Sequence, residues 1–303
     1  MNFFSVLQEM LVLLFGMAAG YLAHRLGYLG GEMDQKLSKI ILNITMPCMI
    51  VSSMASRESL PGLWEVLSTL KIAAVLYGVE ALAALVLPLL LGGTDRQKGV
   101  WRYTAMFPNV GFIGYPVTLA IYGSDALFYA VILTLPFNLM SFSLGPLMLA
   151  GRAKFRWQQL VSPCIIASLI ALAVALLGIS LPGFAVECLS FVGNLTTPLS
   201  LLVVGSLLAG LPVKRVFASA RLWALTAARL LALPALLWAA LRWLHMAPSV
   251  AAGVAIILMS MPTAVNGSML SMEYGGDTEC MAQITFLTTL VSIVTIPLIS
   301  VLL

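Results

Sequence analysis

The sequence predicts an all-α polytopic membrane protein in which ten transmembrane helices form two inverted five-helix repeats, with crossed, discontinuous fourth and ninth helices. Three observations lead to this prediction: an apolar composition, ten apolar runs of spanning length, and short motifs that recur about 151 residues apart. Of 303 residues, 61% are hydrophobic and 9% are charged, and the mean hydropathy is +1.03. An average soluble domain carries about 25% charged residues. Too few polar side chains remain to cover a water-facing surface, which excludes a soluble enzyme, a disordered regulator and a nucleic-acid-binding protein.

The predicted spans follow from the apolar runs and their breaks, because a spanning helix needs about 20 mostly apolar residues. In chain order they lie at 5–24, 37–56, 66–91, 100–122, 126–149, 159–179, 185–209, 215–242, 248–274 and 278–302. The connections are short, as at Gly31-Glu-Met-Asp34, so no separate soluble domain is expected. No basic segment precedes the first apolar run, and we therefore expect that run to span the membrane rather than to be a cleaved signal peptide.

The basic residues predict the orientation of the chain. If the loops alternate between two sides, twelve Lys and Arg residues fall on one side and three on the other. Cytoplasmic loops carry the excess of basic residues, so the richer side is the cytoplasmic one. Its residues are Arg25, Lys36, Lys39, Arg96, Lys98, Arg102, Arg152, Lys154, Arg156, Lys214, Arg215 and Arg221. Both termini are then expected outside the cytoplasm, in a multi-pass protein of the inner membrane.

Three pairs of motifs indicate a duplication. They are Asn43-Ile-Thr-Met-Pro47 with Asn194-Leu-Thr-Thr-Pro198, Tyr122-Gly-Ser-Asp125 with Tyr274-Gly-Gly-Asp277, and Pro108 with Pro262. The pairs occur in the same order at nearly one offset, which predicts a first repeat over residues 1–151 and a second over 152–303. Five spans is an odd number, so the second copy is inverted in the membrane. Inverted repeats are typical of secondary transporters, with a duplicated bundle that does not transport as the alternative.

The fourth and ninth predicted spans contain helix-breaking residues at membrane depth. They read Met106-Phe-Pro-Asn-Val-Gly-Phe-Ile-Gly-Tyr-Pro116 and Met259-Ser-Met-Pro-Thr-Ala-Val-Asn-Gly-Ser268. Proline cannot continue a regular helix, and the peptide groups that it frees must be satisfied by protein, water or ligand. We expect both helices to be interrupted and to cross near the midplane, plain proline kinks being the simpler alternative. The positive ends of half-helices suit an anionic group. The predicted substrate-binding residues are Pro108, Asn109, Gly111, Gly114, Pro262, Thr263, Asn266 and Gly267.

Two further patterns concern helix packing. In the second and seventh spans, we expect a set of asparagines and prolines to kink the helices and bond across them, with direct contact to substrate as the alternative. These residues are Asn43, Pro47, Asn194 and Pro198. In the first span, Gly16-Met-Ala-Ala-Gly20 is a GxxxG pattern. It indicates close helix packing, either within the chain or in a dimer.

These motifs resemble the auxin efflux carrier family, which includes bacterial malate and malonate permeases and the plant PIN auxin exporters. The residues that carry the resemblance are Pro-Asn-x-Gly-Phe-x-Gly-x-Pro at 108–116, Asn-x-Thr-x-Pro at 43–47, and the ninth span followed by Glu273-Tyr274. The resemblance covers essentially the whole chain. It implies a scaffold of spans one, two, six and seven, an elevator-like transport domain of spans three to five and eight to ten, and a homodimer assembled through the scaffold. The chain departs from the plant pattern at Asn266, where a second proline is expected, and it lacks a long cytoplasmic loop.

Two charged residues are predicted to lie inside the bilayer. Glu80 and Arg229 sit near the centres of spans three and eight, where each charge costs about 2.5–3.5 kcal/mol on an isolated helix and therefore needs a partner or water. One hypothesis is an ion pair that locks two helices together. The other is that Arg229 helps to hold a substrate carboxylate while Glu80 exchanges a proton.

The end of the ninth span and the start of the tenth could form a cation site from Glu273, Asp277 and Gln283. Bile-acid sodium symporters, which share this kind of ten-span repeat, couple to Na⁺ in the crossover region. The simpler interpretation of Asp277 is a solvated helix cap.

These observations together predict a secondary transporter, not an enzyme, that moves small organic anions such as malate, malonate or auxin-like acids. The mechanism is expected to be elevator-type alternating access at the crossover, with a Na⁺-coupled symporter of the bile-acid type as the alternative. A membrane enzyme and a channel are the candidates from other classes. The expected partners are the organic anion, membrane lipid and a second copy of the chain, with no nucleic acid. No cofactor and no bound metal are expected beyond H⁺ or Na⁺ coupling.

Overall fold

The computed structural model describes residues 3–55, 62–150, 163–177, 179, 181–210, 217 and 219–302. These residues form helices joined by short turns, and among them there is one isolated β-bridge and no strand. The α-helices are α1 (Phe3–Arg25), α2 (Gly31–Ile40), α3 (Met46–Ala55), α4 (Leu63–Leu91), α5 (Asp95–Met106), α6 (Tyr115–Tyr122), α7 (Ala126–Ala150), α8 (Pro163–Leu177), α9 (Gly183–Gly193), α10 (Thr196–Ala209), α11 (Ala220–Ala227), α12 (Leu233–Trp243), α13 (Val250–Met259), α14 (Asn266–Tyr274) and α15 (Thr278–Leu302).

Several of these helices are suited to cross a bilayer. Within the described residues, four helical segments are long and apolar enough to do so: Leu63–Leu91, Gly183–Ala209, Ala220–Trp243 and Thr278–Val301. Shorter apolar helices accompany them. Helix α4 exposes large apolar side chains such as Leu85 and Leu89, as a lipid-facing surface does. The chain is therefore an all-α, multi-pass membrane protein, as the composition predicts.

A proline follows every π-helical turn in the described part of the chain. Each π-helical turn ends two residues before a proline: Ile41–Thr45 before Pro47, Val110–Gly114 before Pro116, and Ala228–Ala232 before Pro234. A proline ring clashes with the carbonyl four residues earlier and offers no amide hydrogen to it. The wider turn relieves that clash. Such π-bulges occur frequently at functional sites.

Two helices begin earlier than the apolar pattern predicts. Residues 31–34, predicted as a connection, form the first turn of α2, where Glu32 and Asp34 complement the positive end of the helix dipole. Helix α5 begins at Asp95, ahead of its apolar part, because Thr94 and Gln97 form a capping box. In both cases polar residues at the start of the helix stabilise its first turn, and an apolar run alone does not indicate them.

Helix α1 packs closely against α10. The α-carbons of Gly20 and Gly205 lie at this contact, and a β-carbon added to either would come within 3.0 Å of the backbone of the facing helix. At Gly20 the facing group is the carbonyl of Leu202, and at Gly205 it is the carbonyl of Met17. The GxxxG pattern of α1 is therefore used within the chain.

The buried centre of the molecule is formed by α5, α13 and the segments that follow them. In α13 every residue from 251 to 259 is buried, and a helix that is apolar all round must be enclosed by others. Helices α4, α7 and α12 pack around it. This enclosure places the end of α13 and the end of α5 next to each other inside the protein.

Candidate functional site

The fourth and ninth predicted segments are both interrupted, and their breaks lie against each other in a contact that we call the crossover. After α5 and after α13 the chain is extended for a few residues, and Pro108 and Thr263 form an antiparallel β-bridge. The Asn109 amide donates to the carbonyl of Pro262 at 2.7 Å, and the Ala264 amide donates to the carbonyl of Phe107 at 3.0 Å. Each break thus satisfies peptide groups that the other break leaves free, which a low-dielectric interior requires.

Asn109 holds the start of the helix that follows the first break. Its side-chain oxygen accepts a hydrogen bond from the amide of Phe112 at 3.3 Å and so caps the π-helical turn. Its Nδ2 group has no hydrogen-bond partner within the described residues, although the residue is only 3% exposed. A buried donor without a partner is costly. Asn109 therefore presents a free amide donor at the positive end of a helix.

A cavity of about 170 Å³ lies beside the crossover. It is smaller than the roughly 300–1,000 Å³ of pockets for drug-sized ligands and therefore suits a small molecule. Apolar side chains make up most of its wall, with a few polar groups among them. The described lining residues are Lys39, Leu42, Asn43, Met46, Pro108, Asn109, Val110, Gly111, Phe112, Tyr115, Phe137, Pro163, Cys164, Ala264, Val265 and Asn266.

The structure brings half of the predicted substrate-binding residues to this cavity, namely Pro108, Asn109, Gly111 and Asn266. The other four lie behind its wall. Gly114 packs against Leu258 and Met261, and Gly267 packs against Tyr103 and Met281. Thr263 receives a hydrogen bond from Thr288 on α15, and the carbonyl of Pro262 belongs to the crossing itself. These four residues contribute to the packing behind the crossover.

Sequence reasoning missed Lys39, Phe137 and Cys164 as lining residues, because they lie on α2, α7 and α8, far from the crossover in sequence. The Sγ–H group of Cys164 donates to the carbonyl of Leu42. A signal was present for Lys39, since it stands one helical turn before Asn43 of the repeated motif.

The repeated asparagine motifs lie at irregular points of their helices. The first contains the π-helical turn before Pro47, and the second begins at the turn between α9 and α10, before Pro198. Asn43 and Asn194 are both exposed. The side-chain amide of Asn43 donates to the carbonyl of Lys39 in its own helix at 2.8 Å, rather than across to another helix.

Glu80 and Arg229 meet beside the crossover. Arg229 Nη1 lies 3.2 Å from Glu80 Oε1, and both side chains are 0% exposed. The guanidinium also donates to the carbonyl of Ala105 at 2.9 Å and to that of Met261 at 3.2 Å. Ala105 lies in the last turn of α5 and Met261 follows the end of α13 by two residues, and a cation is favourable near the carboxyl end of a helix. Neither charged residue is among the described lining residues, which supports the ion-pair hypothesis.

The predicted cation-site residues have local roles in the described part of the chain. Asp277 Oδ1 accepts a hydrogen bond from the Cys280 amide and so caps α15, while Gln283 donates to Glu279. The side chain of Glu273 lies outside the described residues. Among the described residues there is no group of three or more His, Cys, Asp or Glu side chains that could hold a metal ion.

Tyr77 on α4 bonds to two main-chain groups of α7 beside the cavity. Its hydroxyl donates to the carbonyl of Leu133 at 2.7 Å and accepts from the amide of Phe137 at 3.1 Å. In an uninterrupted α-helix these two groups bond to each other. Inserting a hydroxyl there bends the helix, next to Pro136. The insertion positions the ring of Phe137, which lines the cavity and packs edge-on against Phe107.

We expect Tyr77→Phe to destabilise the protein by about 1–3 kcal/mol, because the Leu133 carbonyl and the Phe137 amide lose their shared partner. Thermal melting of the purified variant in detergent measures the change. Tyr103→Phe is the matched control, since the hydroxyl of Tyr103 is buried and has no hydrogen-bond partner within the described residues. Equal melting temperatures of the two variants would contradict this role of Tyr77.

The fold is helical and apolar, and it encloses two interrupted helices that meet beside a small cavity. This architecture is typical of membrane transport proteins. Residues 5–156 and 146–300 match the family model described as membrane transport protein, and the chain belongs to this family. The resemblance to auxin efflux carriers is thereby confirmed.

Several relatives align along nearly the whole chain. An uncharacterized transporter of Methanothermobacter thermautotrophicus is 28% identical over 309 residues, which cover 100% of both chains. A second uncharacterized transporter, from Methanocaldococcus jannaschii, is 25% identical over 95% of this chain and 96% of its own. A protein of Rhizobium meliloti named "Putative malonate transporter" is 24% identical over 91% of this chain and 89% of its own.

Proposed function

We propose that this chain is a secondary transporter of small organic anions, with its binding site in the cavity at the crossover. The observation that carries the proposal is Asn109, which lines the small cavity at the positive end of a helix and keeps a buried side-chain donor without a partner among the described residues. Backbone amides at helix starts and an unpaired side-chain donor together favour an anionic group. The apolar remainder of the wall suits the carbon skeleton of a small mono- or dicarboxylate.

The proposed architecture is two inverted five-helix repeats, 1–151 and 152–303, with ten spans in the inner membrane and both termini outside the cytoplasm. Helix α1, the α2–α3 segment, α8 and the α9–α10 segment form the scaffold, and the close packing of α1 on α10 supports this grouping. The other helices form a transport domain that carries the crossover past the scaffold as an elevator. The scaffold is also the proposed surface of a homodimer.

Malonate is the first substrate to test, because one relative carries that name. In proteoliposomes preloaded with unlabelled malonate, we expect saturable uptake of labelled malonate against its own gradient, since a carrier exchanges substrate and a channel does not. Parallel assays with Na⁺ replaced by choline, and at several pH values, identify the coupling ion. Malate and a monocarboxylate such as lactate define the substrate range. Absence of counterflow with all of these acids would overturn the proposal.

Asn109→Asp tests the site itself. The variant keeps an oxygen that can cap the π-helical turn, but it replaces the free amide donor with an acidic oxygen. Because aspartate places a charge at a buried position, we expect a lower melting temperature than that of the wild type, and the neutral Asn109→Ser variant provides the comparison. The KM for malonate should rise at least tenfold, because a charge-assisted donor is lost and a like charge is added. Asn109→Ser, which also retains a cap, should fall between the two. An unchanged KM in Asn109→Asp would place the anion elsewhere.

A further inference from the structure

Lys39 brings a positive charge to the crossover cavity from a different part of the fold. It lies in the last turn of α2 and is exposed, whereas Asn109 in the same cavity wall is buried. The cavity therefore extends from the protein surface at Lys39 to the crossover. Among the described lining residues there is one cation, Lys39, and no carboxylate. The ammonium group has neither a hydrogen bond nor an ion pair with any described residue.

The neighbouring lysine on the same helix differs in this respect. Lys36 forms an ion pair with Glu32, 2.8 Å away, and both side chains are largely exposed. Lys36 does not belong to the described cavity wall. Substituting each lysine in turn therefore distinguishes a general effect of positive charge on α2 from a specific effect within the cavity.

The second copy of the motif has no equivalent cation. Aligning Asn43 with Asn194 places Lys39 at the position of Ser190. The same alignment places Lys36 at Glu187, an exposed carboxylate on α9. One copy of the motif is thus preceded by two basic residues, whereas the other is preceded by an acidic and a neutral one. The helix that follows the second motif, α10, packs against the π-helical turn after Asn109.

We propose that Lys39 is the anion-selecting residue of the cavity and that it acts on one face of the membrane only. The proposal rests on the function proposed above. The carboxylate of the substrate then lies between the Lys39 ammonium and Asn109. When the crossover moves to the other face it meets the second motif, where Ser190 offers no charge. The carrier therefore binds its anion more tightly on the Lys39 face, which the distribution of basic residues indicates to be cytoplasmic.

The test compares the two faces in right-side-out and everted membrane vesicles, with labelled malonate as the probe. We expect the wild type to show the lower KM on the Lys39 face. Lys39→Gln should raise that KM about tenfold or more, as the loss of a charge-assisted contact does, and should change the KM on the opposite face less than about twofold. Lys39→Arg should retain most of the affinity. Lys36→Gln, the matched control, should leave both values unchanged.

Ser190→Lys tests the same claim from the other motif, and it should lower the KM on the opposite face and reduce the difference between faces. Thermal melting of each variant verifies folding. If Lys39→Gln leaves both KM values unchanged, or raises both equally, the inference is wrong while the proposed function stands. If the wild type neither binds nor transports malonate or the other acids, the proposed function fails and this inference fails with it.

Discussion

Replacing Arg229 with methionine is expected to destabilise the protein by about 3–5 kcal/mol, because the Glu80 carboxylate is left buried without a counter-charge. The guanidinium also donates to the carbonyl of Ala105, in the last turn of α5, and to that of Met261, two residues after α13. Without it, both helix ends lose their cation and their donor at the point where the broken helices cross. We expect the melting temperature to fall by about 10 °C or more and the yield of folded protein to drop.

Two control variants show whether the loss of stability comes from removing a buried charge or from removing any arginine. Arg242→Met removes an exposed arginine that stacks on Trp238 at the end of α12, and it should change stability by less than about 1 kcal/mol. Arg229→Lys keeps the charge but loses the fork of donors, and should fall between the two. If Arg229→Met melts within about 2 °C of the wild type, the ion pair has no role in holding the crossover together.

Glu80→Gln separates the structural hypothesis from the proton-coupling hypothesis. Glutamine keeps an oxygen acceptor for Arg229 but cannot exchange a proton. If Glu80 has only a structural role, the variant is less stable but its residual transport retains the pH dependence of the wild type. If Glu80 exchanges the coupling proton, that pH dependence disappears. Measuring counterflow across a pH series in both proteins separates the two outcomes.

The second large effect is expected where α1 meets α10. Gly205→Ala places a methyl group under 3.0 Å from the backbone of α1, and Gly20→Ala does the same toward α10. Neither clash can be relieved by a side-chain rotation, because the opposing atoms are main chain. Overpacking of a closely packed interface costs about 1–3 kcal/mol, and we expect each variant to reach the upper end of that range. Gly20→Ala/Gly205→Ala should not yield folded protein.

Gly78→Ala is the matched control for the glycine variants. Gly78 lies in α4, and a β-carbon added there meets no atom within 4 Å. Since alanine is the better helix former by about 1 kcal/mol in water, this variant should be as stable as the wild type or slightly more stable. Melting curves in one detergent compare the wild type with the three single variants. Equal behaviour of Gly78→Ala and Gly205→Ala would contradict the close contact of α1 and α10.

Local chemistry in the sequence determined the membrane environment of this protein and many of its helix irregularities. The apolar composition requires a membrane environment, and the prolines at 47, 116 and 234 favour the wider turns before them, because a proline ring acts on the carbonyl four residues before it. The breaks at Pro108 and Pro262 follow from the same rule. Asn109 could be predicted as a site residue because a polar side chain directly after such a break lies at the start of a half-helix.

Only the tertiary structure decided which of these residues share a cavity. Gly114 and Gly267 stand in the same motifs as Asn109 and Asn266, yet they pack behind the wall, since the face that each half-helix turns to the cavity depends on the segments packed against it. Lys39 and Tyr77 reach the site from other helices, and contacts between distant segments leave no periodic pattern in the chain. The sequence indicated that Glu80 and Arg229 need partners, because a charge in the bilayer is costly. The packing of α4 against α11 and α12, which flank the turn that contains Arg229, brought the two charges together beside the crossover, and neither belongs to the described cavity wall.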